Sequence, residues 1–360
     1  MITVGVEEEY LLLDPETGLP VPRSRQVRAA ADLAPAAAKD EVTPELLQAQ
    51  VEVATPVCTG LDEVAGHLTR LRGVVRAAAA AADCRAAACG AAALRGARPV
   101  PVTGKTRYLT LATDAAQLVD EQLICGMHVH VAIPDRERGV LVLNRIRPWL
   151  AILVALGGNS PLWDGHDTGF SSWRTVVFGR WPVSGLPPEF AGEEDYRRRA
   201  QELVDSAVIR DLGQLYWLAR LSEKYPTIEV RALDVQLRAE DAVTFAGLAR
   251  ALVTLALSDH WPHATLPAHP PELLAAALWQ AARHGLDGDL VDPFTARSRP
   301  AADVVATLMT LVEPALKQSG DLDRVNDGVQ RLVHEGTAAT RQRRAFQDGG
   351  VAAAIDLSEM

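Results

Sequence analysis

The chain has 360 residues, of which 48% are hydrophobic and 23% are charged, a balance that is ordinary for a folded protein and excludes a disordered one. The formal net charge of −10 argues against a general binder of nucleic acid or of an anionic membrane, since either needs a basic surface.

The cysteines and the apolar runs predict a soluble cytoplasmic protein. The four cysteines have no Cys-x-x-Cys spacing, so we expect reduced thiols. Because the chain opens directly on strand-like residues, we expect no signal peptide. The longest apolar run, 149–157, has about half the length that spans a bilayer.

The first hundred residues alternate between strand and helix patterns. We predict a strand over 2–13, ended by the turn-forming residues 14–18, and a second strand over 45–55. From Leu61 onward, apolar residues recur every three or four positions, which indicates an amphipathic helix. The alanine-rich residues 77–93 are predicted to extend it, because alanine favours helices.

The central part of the chain is less regular. Strands are predicted over 97–103 and 124–133, followed by a helix over 140–156 that Pro148 kinks or divides. Residues 157–192 have no clear period and many Gly, Pro and Trp residues. A loop of this length in a compact domain is usually functional.

The last part of the chain is predicted to be mainly helical. We predict, in order, helical structure over 193–220, a strand over 227–237, helices near 239–258, 271–284, 300–318 and 321–347, and a frayed tail. No internal repeat or linker divides the chain. We therefore predict one α+β domain over residues 1–360, with a helix-rich C-terminal third over about 239–347.

Two glutamates near the N-terminus are candidate metal ligands. Glu7 and Glu9 share one strand face about 7 Å apart, whereas Glu8 points to the other face and is expected to be structural. Their carboxylates could bind one or two divalent ions, and Mg²⁺, which prefers oxygen ligands, usually arrives with nucleotide phosphates. A solvated edge strand is the alternative for this pair alone.

The second predicted strand carries further carboxylates. Gln50 and Glu52 share a face, so Glu52, and with it Glu45, could add ligands to the same metal cluster. The alternative is an ordinary surface strand.

His128 and His130 share a strand face and allow three interpretations. They could chelate zinc, or one could be buried and the other exposed, or a neutral histidine could lie beside a phosphate or magnesium. The phosphate interpretation fits the nearby carboxylates better, because no cysteine lies close to the pair in a chelating pattern.

Arginines supply candidate anion ligands in two segments. Arg174 and Arg180 could clamp a carboxylate or phosphate, the alternative being surface arginines of a structural loop. Glu229 could ligate a metal while Arg231 neutralises charge on a transferring phosphoryl group, the alternative being a simple ion pair. Asp234 falls on the other face unless a bulge intervenes.

The recognised nucleotide-binding loops are missing from the sequence. It has no G-x-x-x-x-G-K-[ST] loop, no G-x-G-x-x-G fingerprint and no G-x-S-x-G elbow. A nucleotide bound here would have to be held by metal ions and arginines on a sheet.

Seven segments over about 230 residues resemble, in order, the glutamate–cysteine ligase type 2 family, specifically its bacterial carboxylate–amine ligase branch. They are Gly5-Val6-Glu7-Glu8-Glu9-Tyr10, Glu52-Val53-Ala54-Thr55-Pro56, Cys125-Gly126-Met127-His128-Val129-His130-Val131, Asn159-Ser160-Pro161, Thr168-Gly169-Phe170-Ser171-Ser172-Trp173-Arg174, Arg180-Trp181-Pro182, and Ser222-Glu223-Lys224 with Glu229-Val230-Arg231.

The resemblance implies a glutamine-synthetase-like catalytic fold, with a curved, mainly antiparallel sheet forming a funnel and helices packed outside. It implies ATP and Mg²⁺, an acyl phosphate intermediate, and joining of the glutamate γ-carboxylate to the amine of cysteine. Small-molecule substrates are the expected partners, and a homodimer is suggested.

The resemblance also implies roles for individual residues. The implied metal ligands are Glu7, Glu9, Glu52, Glu229 and, as a further candidate, Glu45. Arg231 would assist phosphoryl transfer, with Glu229 and His128 beside it. Arg174, Arg180 and His130 are the candidate residues for contacting nucleotide or substrate.

Three alternatives remain at this stage. The motifs describe the metal and phosphate machinery rather than the pocket that selects the amine, so another acceptor is one alternative. A zinc-dependent hydrolase built on His128 and His130 is the second, and a non-catalytic ATP- or amino-acid-binding protein is the third.

Overall fold

A computed structural model describes residues 2–39, 41–262 and 269–360. The strands are β1 (Val4–Leu13), β2 (Val42–Pro44), β3 (Gln50–Ala54), β4 (Arg85–Ala87), β5 (Gly126–Ala132), β6 (Leu162–Trp163), β7 (His166–Asp167), β8 (Ser184–Gly185), β9 (Tyr216–Trp217), β10 (Ala219–Leu221), β11 (Thr227–Asp234), β12 (Asp289–Asp292) and β13 (Arg297–Pro300).

The helices are α1 (Ser24–Ala31), α2 (Leu61–Ala81), α3 (Thr106–Ala115), α4 (Gln117–Asp120), α5 (Arg136–Ile146), α6 (Leu150–Gly157), α7 (Trp173–Phe178), α8 (Glu193–Asp205), α9 (Ala239–Leu257), α10 (Pro271–His284), α11 (Ala301–Ser319), α12 (Leu322–Glu335) and α13 (Ala338–Ser358). Short 3-10 helices lie at Arg147–Trp149 and Leu212–Gln214.

Seven strands form the central sheet, in the order β10-β11-β5-β1-β3-β2, with β4 also paired to β1. Every strand pair in this sheet is antiparallel. The sheet therefore agrees with the predicted mainly antiparallel architecture.

Period-two alternation gives the sheet two different faces. Val4 and Val6 of β1 join Val129 of β5 and Val230 of β11 in a core that also contains apolar residues of α2, α5, α6 and α9. The intervening positions of the same strands carry the charged and histidine side chains. Burial of the apolar face thus fixes which face the charged residues occupy.

The strand register brings the predicted site segments together. Glu9 pairs with Glu52 of β3, Glu7 pairs with His128 of β5, and His130 pairs with Glu229 of β11. Directly paired residues on antiparallel strands point to the same side of the sheet. Four strands therefore direct these side chains to one face.

The alanine-rich region differs from its predicted structure. Helix α2 ends at Ala81, and β4 then pairs with β1 instead of continuing the helix through 93. Asp83, with φ of 54°, makes the turn between them. Burial of Ala86 and Ala87 against the sheet outweighs the helix propensity of alanine.

The predicted strand over 97–103 is wrong. Among the described residues of this segment, Val102 makes only an isolated bridge with Leu47, and Pro99 and Pro101 lack the N–H groups that a ladder needs. The strand predicted over 45–55 is shorter than expected, because residues 45–49 form a turn before β3.

The helical prediction over 193–220 holds only for α8, which ends at Asp205. After α8 the segment turns at Ala207, with φ of 59°, and its last residues lie in strands β9 and β10. The division of the earlier helix at Pro148 is confirmed, since a 3-10 turn separates α5 from α6.

The C-terminal tail is not frayed. Ala88 N–H donates to the carbonyl of Ser358 at 2.8 Å, and Met360 N–H donates to Ala86 at 3.1 Å. These hydrogen bonds hold the end of α13 against β4, an interaction with distant residues that local sequence does not reveal.

Among the residues that the structure describes, the helical stretch Arg136–Gly157 is long and apolar enough to cross a membrane. In the fold, 78% of its most apolar window is buried inside the protein. This burial is what a core helix of a folded domain requires.

Candidate active site

The charged face of the sheet forms the floor of a cavity of about 560 Å³. Its lining includes most of the residues predicted from sequence, namely Glu7, Glu9, Glu45, Glu52, His128, His130, Glu229 and Arg231. Residues far apart in the chain therefore meet in one site.

Glu7 lies between the two histidines. His128 Nδ1 is 3.1 Å from one carboxylate oxygen of Glu7, and His130 Nε2 is 3.3 Å from the other. Burial would raise the pKa of Glu7, but the hydrogen bonds from His128 and His130 lower it instead. Burial, reinforced by the charge of Arg231, lowers the pKa of His128 and favours a neutral ring.

Glu9, Glu45 and Glu52 form a crowded acidic cluster. Burial raises the pKa of Glu45 to about 7, and the neighbouring charge of Glu9 adds to this effect. Burial and then the charges of Glu45 and Glu7 raise the pKa of Glu52 well above its ordinary value. Three carboxylates whose oxygens lie within 4.8 Å of one another repel one another unless a proton or a cation lies among them.

Glu229 is held by two arginines. Arg220 Nε lies 2.7 Å from one oxygen of Glu229, and Arg231 Nη1 donates to the other. Burial would raise the pKa of Glu229, but the charges of Arg231 and Arg220 lower it. The carboxylate is therefore ionised and its orientation fixed.

A β-bulge in β11 changes the side of the sheet to which Asp234 points. The register with β5 shifts between Val230 and Leu233, so that Asp234 pairs with Gly126. Since Gly126 shares its face with His128, the bulge puts Asp234 on the charged face. From sequence, Asp234 was expected on the other face unless a bulge intervened, and this bulge is present.

Arg174 lies in a buried layer outside the lining of the cavity. Its Nη2 donates to the carbonyl of Arg231 at 3.3 Å, and its Nη1 lies 3.8 Å from Asp234. Asp234 also accepts hydrogen bonds from Ser160 and Ser172. The contact of Arg174 with substrate or nucleotide stays a prediction, since its guanidinium lies beside Asp234 and outside the lining of the cavity.

Arg180 is also outside the lining of the site cavity. It forms an ion pair with Glu121 and lines a different cavity. From residues 174–182, Phe178 and Trp181 line the site cavity and Arg180 does not. The role of Arg180 as a nucleotide or substrate ligand stays a prediction, and in this structure its side chain lies outside the site cavity.

Several lining residues were missed from sequence. Arg220 pairs directly with Glu229 across β10 and β11, and this pairing cannot be read from the pattern of either strand alone. Further lining residues to which the sequence assigned no role include Lys105, Arg107, Tyr108, Phe178, Trp181, Tyr216, Lys224 and Tyr225. They supply basic groups and an aromatic wall.

The donor set fits a hard divalent cation. In each of three groups of residues, the donor atoms lie within 4.8 Å of one another. The groups are Glu7, Glu52 and His128; Glu7, His130 and Glu229; and Glu9, Glu45 and Glu52. Carboxylate oxygens dominate them, as magnesium prefers. His128 and His130 belong to different groups, and no cysteine lines the described cavity, so the zinc chelate predicted as an alternative is not favoured.

Comparison with known proteins assigns the chain to a family. The model of glutamate-cysteine ligase family 2 matches residues 3–356. The chain belongs to this family. A relative from Salinispora arenicola (strain CNS-205), provisionally named glutamate–cysteine ligase 2, is 43% identical over 348 residues, which cover 95% of this chain and 90% of the relative. A relative from Mycobacterium sp. (strain KMS), provisionally named glutamate–cysteine ligase 2-2, is 42% identical, with coverage of 98% and 96%.

A solved structure has the same fold. It is the glutamate–cysteine ligase of Francisella tularensis in complex with AMP, which matches with a TM-score of 0.74 over 99% of this chain and 87% of that chain. The sequence identity is 12%, so the likeness concerns the fold alone. The predicted fold class is confirmed.

Proposed function

We propose that the protein is an ATP-dependent carboxylate–amine ligase that joins the γ-carboxylate of glutamate to the amine of cysteine. The observation that carries this proposal is the row of carboxylates on β3, β1 and β11, with the histidines of β5 among them and Arg220 and Arg231 at its end. Family membership supports the ligase reaction, and the names of the relatives support glutamate and cysteine as substrates.

Two parts of the carboxylate floor would hold Mg²⁺. Glu9, Glu45 and Glu52 form one set, and Glu7 with Glu229 and the histidines forms the other. Burial and the neighbouring carboxylates raise the pKa values of Glu45 and Glu52, an effect that a bound divalent cation would oppose. Bound Mg²⁺ would neutralise and orient the phosphates of ATP.

The reaction needs an activated carboxylate, because a free carboxylate resists attack by an amine. Transfer of the γ-phosphoryl group of ATP to the glutamate carboxylate gives an acyl phosphate and ADP. The amine then attacks the acyl carbon, the amide bond forms, and phosphate leaves.

The protein's own groups stabilise the charge that moves in this reaction. Arg231 lies at the floor of the cavity and would neutralise charge on the transferring phosphoryl group, while Glu229 fixes its guanidinium. Arg220 holds Glu229 from the opposite side. His128, with its lowered pKa, would serve as a neutral hydrogen-bond donor.

Basic groups at the rim of the cavity would contact nucleotide or substrate, the role that was predicted for Arg174 and Arg180. Lys105, Arg107 and Lys224 line the same cavity and would attract the phosphates or the substrate carboxylate. The aromatic wall of Tyr108 and Tyr216 offers apolar area for the remainder of the nucleotide or substrate.

We also propose a soluble cytoplasmic location. Cys58, Cys84, Cys89 and Cys125 are all free and buried, as expected in a reducing compartment. The homodimer suggested by the family resemblance stays a prediction.

A screen of ADP release tests the proposed reaction. Glutamate with cysteine and other amines would be incubated with Mg-ATP, and products identified by mass spectrometry. We expect ADP and γ-glutamylcysteine in equal amounts. A different amide would correct the acceptor, and binding of Mg-ATP without ADP release from any pair would favour the non-catalytic alternative.

A further inference from the structure

A second cavity, of about 820 Å³, lies behind the wall of the site cavity. Thr175 of α7 lines it, whereas Phe178 of the same helix lines the site cavity. Ser184 of β8 lines the second cavity and pairs with Tyr216 of β9, which lines the first. The two cavities thus share a wall made of α7 and the β8–β9 pair.

The second cavity offers an apolar surface. Leu186, Leu274 and Leu278 contribute aliphatic side chains, and Trp279 of α10 contributes an indole that is 57% exposed. An exposed tryptophan at the edge of a concave apolar surface is typical of a small-molecule site. The volume also lies within the usual range for such sites, roughly 300–1,000 Å³.

The charged residues of this cavity have an excess of positive charge, although the whole chain is acidic. Its lining includes Arg147, Arg180 and Arg199 but a single glutamate, Glu189. Arg180 is paired with Glu121, and Arg199 lies 3.5 Å from Asp195. Because these two carboxylates neutralise Arg180 and Arg199, Arg147 is the arginine of this lining with which an anionic ligand would pair.

Arg147 supplies the most specific feature. Its side chain is only 9% exposed, and within the described part of the chain its Nε has no hydrogen-bond partner. Its ion pair with Glu189, at 3.1 Å, involves a carboxylate that is 73% exposed. Because the guanidinium is buried and its carboxylate partner is exposed, an anionic ligand would take the place of Glu189 on Nη2 and form a strong charge-assisted hydrogen bond there.

We propose that this second cavity binds an organic anion with an apolar body, such as an aromatic or aliphatic carboxylate or sulfonate. Arg147 binds the anionic group, displacing the exposed Glu189, and the leucines with Trp279 cover the apolar body. This site is separate from the carboxylate floor, so the proposal does not depend on the ligase reaction.

Fluorescence titration with anilinonaphthalene sulfonate tests the proposal, because this probe combines an aromatic body with a sulfonate. Its uncharged analogue phenylnaphthylamine is the matched control for the anionic group. We expect saturable binding of the sulfonate by the full-length protein and at least tenfold weaker binding of the analogue. Equal affinities would overturn the assignment of an anion site.

Three variants locate the probe. Ala275→Trp fills the second cavity from an exposed position of α10, while Ala276→Trp, also exposed on α10, does not line it. Arg147→Gln removes the anion ligand, and Arg210→Gln removes an exposed arginine elsewhere. We expect Ala275→Trp and Arg147→Gln each to weaken binding at least tenfold, with both controls within twofold of the parent.

Other results would contradict the proposal. Unchanged binding in Ala275→Trp would overturn it, even if Arg147→Gln failed to fold. Loss of the probe in Tyr108→Ala, which alters only the site cavity, with retention in Ala275→Trp would place the probe in the other cavity. No binding by the parent protein would also overturn it.

Discussion

Successive glutamates of β1 have opposite environments. Glu7 and Glu9 line the cavity, whereas Glu8 is fully buried on the core face, where it pairs with Arg72 at 2.5 Å. Arg72 also donates to the carbonyls of Gln236 and Leu237. The alternation of a single strand thus separates a site residue from a structural one, as its period predicts.

Replacement of Glu8 tests the structural role. Glu8→Gln leaves Arg72 buried without its counter-charge, so we expect a loss of about 3–5 kcal/mol in the free energy of unfolding. Urea denaturation measures it, with the exposed Glu16→Gln as a control expected to change stability by less than about 0.5 kcal/mol. Equal stability of both variants would contradict a structural role for Glu8.

Replacement of Glu52 tests the metal role. Burial and the charges of Glu45 and Glu7 raise the pKa of Glu52, so its charged form is disfavoured in the fold and the neutral side chain of Gln removes that cost. Glu52→Gln should therefore keep the parent's stability within about 0.5 kcal/mol. Magnesium-dependent ADP release should fall about 100-fold or more, because charge stabilisation at the phosphates is lost.

Glu7→Gln and Glu9→Gln, made singly, should each abolish magnesium-dependent ADP formation while the fold remains intact. Circular dichroism and a steady-state assay check the two expectations together. Full activity in these variants would remove the metal assignment.

At the scale of elements, a close approach between β5 and α7 fixes the buried layer below the cavity. A Cβ placed on Gly126 would overlap Nη2 of Arg174, so this position has no room for a side chain unless the guanidinium moves. Arg174 in turn holds the bulged part of β11 through Asp234 and the carbonyl of Arg231. The direction of Arg231 thus depends on packing between elements.

Gly126→Ala tests this contact. We expect it to lower the free energy of unfolding by about 1–3 kcal/mol, because the new methyl group displaces a buried guanidinium. Gly66→Ala in α2 is the matched control, since a Cβ there has nothing within 4 Å and should stabilise the helix by up to about 1 kcal/mol. Urea denaturation of both variants with the same sign of change would contradict the packing argument.

At the scale of the whole molecule, α13 connects distant parts of the fold. Gln342 near its start donates to the side chain of Asn159 at 2.6 Å, and Ser358 near its end accepts from Ala88. Ile355 is buried in the core between them. The last helix is therefore part of the domain's packing.

Removal of residues 351–360 tests this role. Loss of the buried Ile355 side chain and of the hydrogen bonds to β4 should cost at least about 2 kcal/mol. Thermal denaturation of the truncated protein measures the change. A frayed tail, as expected from sequence, would instead leave the stability unaltered.

The sequence predicted one part of the site well for a physical reason. Residues two apart in a strand share a face, so the pairs Glu7 with Glu9 and His128 with His130 could be assigned without coordinates. The position of Arg220 could not be assigned in this way, because its place beside Glu229 depends on the pairing of β10 with β11. Asp234 depended on a bulge, and Arg174 and Arg180 on how a long segment folds over the sheet.

The most direct test of the central claim follows an oxygen atom of the substrate. Glutamate labelled with ¹⁸O in its γ-carboxylate would be converted with Mg-ATP and cysteine, and the released phosphate analysed by mass spectrometry. Activation through an acyl phosphate transfers one labelled oxygen to phosphate for each amide formed, and this is the result we predict. Amide formation with unlabelled phosphate would contradict the acyl phosphate and the function assigned to the carboxylate floor.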